Sequence, residues 1–194
     1  MRILHISKYY YPYIGGVENI CKYIVEGDTE HETAVVCFNE ENKDVVDEVN
    51  GHKVYRVATW INVARQALSL SYFPMLRKAI KEFKPDVIHF HWANPFPAAV
   101  LLAVMPKEVK LVIHWHMNII KQKRIYPFIK PVETALLKRA ESMFTIPKMI
   151  EECEMSYNKI SDMNVMKFSR RGGVIPNLIF FTSMPLKKER REAA

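Results

Sequence analysis

Cysteine is too scarce and too scattered in this chain to hold it together. Cys21, Cys37 and Cys153 are odd in number and no C-x-x-C pair occurs, which excludes a disulfide framework and a thiolate zinc site. They are expected to be reduced thiols packed as small hydrophobes. No apolar run approaches the roughly 18 residues that span a bilayer, so no transmembrane helix is expected. The opening MRILHISKYYYPY is too short in its apolar part for the core of a secretory signal. A cytoplasmic protein is expected. The G-x-G-x-x-G dinucleotide fingerprint is missing, as are internal repeats and low-complexity segments.

What is present suits one folded domain. The 194 residues are 49% hydrophobic and 25% charged, ordinary values for a globular chain long enough to bury a core. The net charge of +7 is localised. Residues 121–139 and 167–194 together hold 13 of the 28 basic side chains and 3 of the 21 acidic ones. Such an excess suits an anionic partner, either the phosphates of a substrate or an anionic membrane to which the protein is peripheral. A solvated helix face with a basic, disordered tail over 178–194 is the plainer alternative. No nucleic-acid partner is expected.

Apolar runs alternate with helical patterns, which predicts a parallel sheet covered by helices. Strands are expected at Ile3–Ser7, Thr33–Phe38, Val54–Ala58, Asp86–His91, Lys110–Trp115 and Met143–Ile146, with an acidic turn region between the second and third. A last strand is expected at Gly172–Pro176. Val17, Ile20, Cys21, Ile24 and Val25 recur at helical spacing behind Gly16, and Tyr72, Leu76, Ala79, Ile80 and Phe83 mark a second helix. That helix should stop before Lys84-Pro85, because a residue preceding proline resists the helical region. A short buried helix is expected over Pro95–Met105. Another should run to about Ser142 with Pro131 in its first turn, where a missing N–H costs nothing. Residues 154–172 show no clear period.

Three features could carry chemistry. Gly15-Gly16 lies between the first strand and first helix, where ligands of open parallel sheets bind. Two glycines let a backbone approach closely, and a helix N-terminus offers N–H groups to a phosphate. A simple turn explains the pair equally well. His89-x-His91 and His114-x-His116 each put two imidazoles on one face of a strand near its carboxyl end. Four histidines could bind a metal. No acidic residue closely follows either pair to complete a hydrolytic site, so none is assigned.

The string RILHISKYYYPYIGGVENICKYI resembles the opening of family 4 glycosyltransferases. DVIHFHW and VIHWHMN are similar to that family's later strands, with His116 on the family histidine and Asn118 where aspartate is usual. Val174-Ile-Pro-Asn177 resembles the segment leading to the second domain, although Leu178 replaces the usual glycine. The resemblance implies the N-terminal, Rossmann-like half of a GT-B fold over residues 1–177, the acceptor side of a retaining enzyme whose other half binds a nucleotide sugar. It implies His116 as the catalytic group beside the transferring sugar, Gly15, Gly16 and Asn118 as substrate-binding residues, and no metal cofactor. The partners it implies are a sugar or lipid-linked acceptor and a donor-domain protein, since the stretch after Leu178 is too short for a second domain. An isolated half is expected to catalyse nothing, because stabilising the transition state needs both walls of the cleft. Two alternatives stay open: a non-catalytic module that binds an anionic sugar or lipid headgroup, and a metal-dependent hydrolase built on the two histidine pairs.

Overall fold

A computed structural model describes residues 1–63, 66–92, 94–117, 125–145 and 164–167. The chain runs β1 (Arg2–Ile6), α1 (Gly16–Gly27), β2 (Glu32–Phe38), β3 (Val45–Val49), β4 (His52–Val57), β5 (Ile61–Val63), β6 (Gln66–Leu68), α2 (Tyr72–Phe83), β7 (Val87–Trp92), α3 (Pro95–Val104), β8 (Lys110–Trp115), α4 (Tyr126–Arg139), β9 (Ser142–Thr145) and β10 (Asn164–Lys167). Eight strands form one sheet in the order β10-β9-β8-β7-β1-β2-β4-β3, parallel except for β3. The order turns back between β1 and β7, the point where such sheets open a crevice for ligands.

Alternation along the strands sorts their side chains onto two faces. Leu4, Ile6, Ile88, Phe90, Trp92, Leu111, Ile113 and Trp115 join one core with α2, α3 and α4. The opposite face carries Val35, Cys37 and Val54, covered by Cys21 and Val25 of α1, and beside them Ile3, Val87 and Val112. Right-handed crossovers impose this division. The path from β1 to β2 moves one way across the sheet, and those from β4 to β7, β8 and β9 move the other.

Several elements differ from the sequence reading. The acidic stretch is not merely a turn: β3 pairs antiparallel with β4, joined at Asn50 (φ 52°) and Gly51 (φ 84°). Two successive positive φ values are the hallmark of the Asn-Gly hairpin turn, and Asp47 and Glu48 lie exposed on this edge strand. A second antiparallel hairpin, β5–β6, lies outside the expected pattern as well. α4 starts earlier than expected, with Pro127 in its first turn and Pro131 inside it. Pro131 lies in the second turn on the exposed side, and the bond its missing N–H forgoes is the one to the Pro127 carbonyl. α2 ends where read, with Lys84 in the left-handed region (φ 48°) and its N–H bonded to the Ile80 carbonyl at 2.9 Å. β10 falls inside the stretch that showed no period. The strand expected at Gly172–Pro176, the segment Val174–Asn177, the tail 178–194, Cys153 and Asn118 lie outside the described residues.

Candidate functional site at the carboxyl edge

The loop after β1 is anchored before it reaches the glycines. Ser7 N–H donates to the Val36 carbonyl at 3.1 Å and Tyr10 is buried. The Arg56 guanidinium on β4 donates to the Tyr11 carbonyl at 2.7 Å and to Asp47 at 2.9 Å. Tyr9 and Tyr13 stack at 4.5 Å. Gly15 then caps α1 in an extended conformation (φ −159°) that any residue adopts. A Cβ there would strike the carboxylate of Glu18, which folds back over it, whereas a Cβ on Gly16 would meet nothing within 4 Å. Neither packing nor backbone geometry therefore demands glycine at 16. An acidic side chain in the first turn is favourable at the positive end of the helix dipole.

On the face that α1 partly covers, five imidazoles meet. His5 of β1 lies in register with His89 of β7, and His91 with His114 of β8. Strands about 4.8 Å apart bring such neighbours into ring contact. Ring centres are 4.9 Å apart for His5 and His89, 5.5 Å for His91 and His114, and 4.0 Å for His114 and His116. His91 Nδ1 lies 2.9 Å from His116 Nε2, and His91 Nε2 lies 3.4 Å from His5 Nδ1. The Nε2 atoms of His5 and His89 and Nδ1 of His114 are buried with no hydrogen-bond partner among the described residues.

Burial holds all five rings neutral. It lowers His5 and His116 to about 3 and His114 to about 4, with neighbouring imidazoles adding to the effect on the first two. His89 and His91 are driven well below the ordinary value by burial and then by the other rings. Uncharged imidazoles can offer lone pairs or single N–H donors, but not positive charge.

Of the expected site residues, Gly15, Gly16 and His116 lie at one edge of the sheet. The glycines follow β1, and His116 extends β8, its N–H reaching the Trp92 carbonyl at 3.3 Å. Only β7 separates those two strands, about 10 Å at the usual spacing. His114 lies two residues before His116 on the same strand face. It is half-buried like His116, and the fully buried members are His5 and His91. His5 joins them without a sequence signal, because one histidine within RILHI carries none until register places it beside His89. The basic stretch is partly structural: Arg139 donates to the carbonyls of Pro106, Lys107 and Val109 at 3.1, 3.0 and 2.6 Å.

A family model described as Glycosyltransferase Family 4 matches residues 14–152. The O-antigen chain mannosyltransferase C of Escherichia coli is 25% identical over 174 residues, covering 86% of this chain and 45% of the relative. Among solved structures, sucrose-phosphate synthase from Thermosynechococcus elongatus superposes with a TM-score of 0.62 at 14% identity, over 86% of this chain and 47% of its own. UDP-GlcNAc 2-epimerase from Neisseria meningitidis, bound to UDP-GlcNAc, gives 0.52 at 12% identity over 86% and 46%. At those identities the structural likeness speaks to fold alone. The chain spans about half the length of these relatives.

Proposed function

The chain belongs to glycosyltransferase family 4, and from that premise we propose that it forms the acceptor-side wall of an enzyme that moves a sugar from a nucleotide sugar to a sugar or lipid-linked acceptor with retention of configuration. The donor-binding wall comes from a second domain, on the same polypeptide or another. One observation carries this reading. The Gly15-Gly16 loop and His116 lie at the carboxyl edge beside the point where strand order reverses, and that edge is lined with exposed apolar side chains. Ile14 follows β1 and is 78% exposed, Trp60 and Ile61 follow β4, Leu70 precedes α2, and Met117 follows β8. An apolar rim at a ligand-binding edge suits a surface that another domain closes.

The chemistry asked of this wall is electrostatic. Departure of a nucleoside diphosphate leaves positive character on the sugar and negative charge on the phosphates. The first turn of α1 meets the phosphates with backbone N–H groups, and no metal is needed for that task. His116, neutral, positions a sugar hydroxyl by hydrogen bonding. At the α4 end of the rim Phe128 is 82% exposed near Lys130, a composition suited to peripheral contact with an anionic membrane that holds a lipid-linked acceptor. No helix among the described residues is long and apolar enough to cross a membrane.

The test joins this chain to the donor half of the Escherichia coli mannosyltransferase and assays transfer from a panel of nucleotide sugars. Turnover is expected, with His116→Ala lowering kcat/KM about a hundredfold, the usual effect of removing one oriented hydrogen-bonding group from such a site. Equal turnover by the variant would remove His116 from the site. A folded hybrid that binds acceptor and donor without turning over would instead favour a binding module.

A further inference from the structure

We propose that His91, His114 and His116 form a binding site for a zinc-like divalent cation. One ligand nitrogen from each of the three lies within 4.8 Å of the others. Tetrahedral zinc with Zn–N bonds of about 2.1 Å sets its nitrogens about 3.4 Å apart. His91 Nδ1 and His116 Nε2, at 2.9 Å, need only open slightly, and His114 must swing inward. Its ring can do so because the terminal torsion of histidine is broad. The stacking of His114 on His116 at 4.0 Å is the arrangement such a rotation would exchange for a metal bond.

A second observation points to a ligand. His114 Nδ1 is buried without a partner among the described residues, and a buried polar atom left unpaired costs about 1–3 kcal/mol. A cation gives that nitrogen, or its swung counterpart, a bond. The donor set decides which cation. Three imidazoles and no carboxylate suit zinc, nickel or copper, and do not suit magnesium, calcium or manganese. The neighbouring set of His5, Cys21 and His91 is the poorer choice, because burial pushes the Cys21 thiol up and away from the thiolate that binds metals. His114 and His116 are half-buried at the carboxyl edge, where a water can supply the fourth ligand.

Binding itself is independent of the sugar-transfer reading. Its consequence rests on that reading: a bound ion engages His116 and competes with the sugar there.

The experiment titrates tag-free chain with zinc against a chelating dye, and with cobalt(II) by visible absorption. One ion per chain is expected, with the intense d–d bands of a four-coordinate cobalt site. His91→Asn and His116→Asn should each weaken zinc binding by more than about a hundredfold, beyond the effect of losing an outer partner of a ligand. The double variant His31→Ala/His52→Ala, which removes the two histidines outside the cluster, should bind as the parent does. Thermal melts of each variant show that it is folded, and His116→Asn, at the rim, serves if His91→Asn is not. Zinc binding that survives the folded cluster variants, or vanishes only in the His31/His52 variant, overturns the site, as does the absence of binding. No sugar or transfer assay enters, so failure here leaves the proposed function untouched.

Discussion

Acidification should unfold this protein well above the pH at which most carboxylates titrate. An exposed histidine titrates near 6.5, whereas burial holds His5, His89, His91, His114 and His116 neutral to much lower pH. Each native pKa lies below its unfolded value, so the unfolded chain binds more protons. Stability is intact above about pH 6.5 and falls as pH drops toward the native values of about 3 to 4. Between pH 7.5 and 5.5 each ring shifts the balance by about 1.4 kcal/mol, and five shift it by about 7. A whole domain is commonly stable by only about 5–15 kcal/mol. Glu133, whose carboxyl burial raises, acts in the opposite sense, but one carboxyl does not offset five imidazoles. Urea melts in EDTA at pH 7.5, 6.5 and 5.5 measure the effect, and the steepest slope should correspond to uptake of about five protons on unfolding. His89→Leu, which removes one ring and a buried nitrogen without a partner among the described residues, should lower that uptake by one. A folded protein equally stable at pH 7.5 and 5.5, or cluster resonances titrating near 6.5 in the folded state, would refute the reasoning.

Gly16→Val places a Cβ in open space and should change stability by no more than about 1 kcal/mol in a thermal melt. The same variant should weaken calorimetric binding of a nucleoside diphosphate about tenfold, a loss near 1.4 kcal/mol, and unaltered binding would make the glycine pair a plain turn. Arg56→Met removes the donor that ties β4 to the Tyr11 carbonyl and Asp47; a loss of about 2 kcal/mol is expected in urea melts, with faster amide exchange around Tyr11. Arg139→Ala leaves three carbonyls without their shared donor and should cost about as much, whereas Lys138→Ala, on an exposed face, should cost less than about 0.5 kcal/mol.

The parts of the fold that were legible are those whose side chains obey one period. α2 is legible to both ends because Tyr72, Leu76, Ala79, Ile80 and Phe83 are all buried on a single stripe, and β8 because Leu111, Val112 and Ile113 form a continuous apolar run buried from both faces. The β3–β4 hairpin is not legible from periodicity although Asn50-Gly51 is a strong turn signal. Its first strand is an exposed edge rich in acid, so hydrophobic periodicity is silent there. The start of α4 is hard to place from sequence because two prolines compete for its first turn, and Pro127 takes it. Of the site, the loop and the histidine pairs could be found from spacing. His5 could not, for its membership depends on the register of β1 against β7, which no local pattern encodes.

That register also explains why the histidines are hard to read as core. On one face of the three central strands the amino-terminal positions are apolar: Ile3, Val87 and Val112 pack together. Two residues further along, the same face changes to His5, His89 and His114, and beyond them to Ser7, His91 and His116. Valine in those places would pack as well, suit a strand better and leave no nitrogen unpaired. Three imidazole nitrogens are instead buried without partners among the described residues, each at a cost of about 1–3 kcal/mol, and all five rings are expected to make the fold vulnerable to mild acid. The change from apolar to imidazole occurs along each strand as it nears the edge where the Gly15-Gly16 loop and the apolar rim lie. A stability cost repeated on three strands and directed at one edge is what a ligand site imposes. On the proposed reading, the rings lie there for the lone pairs and N–H groups they present.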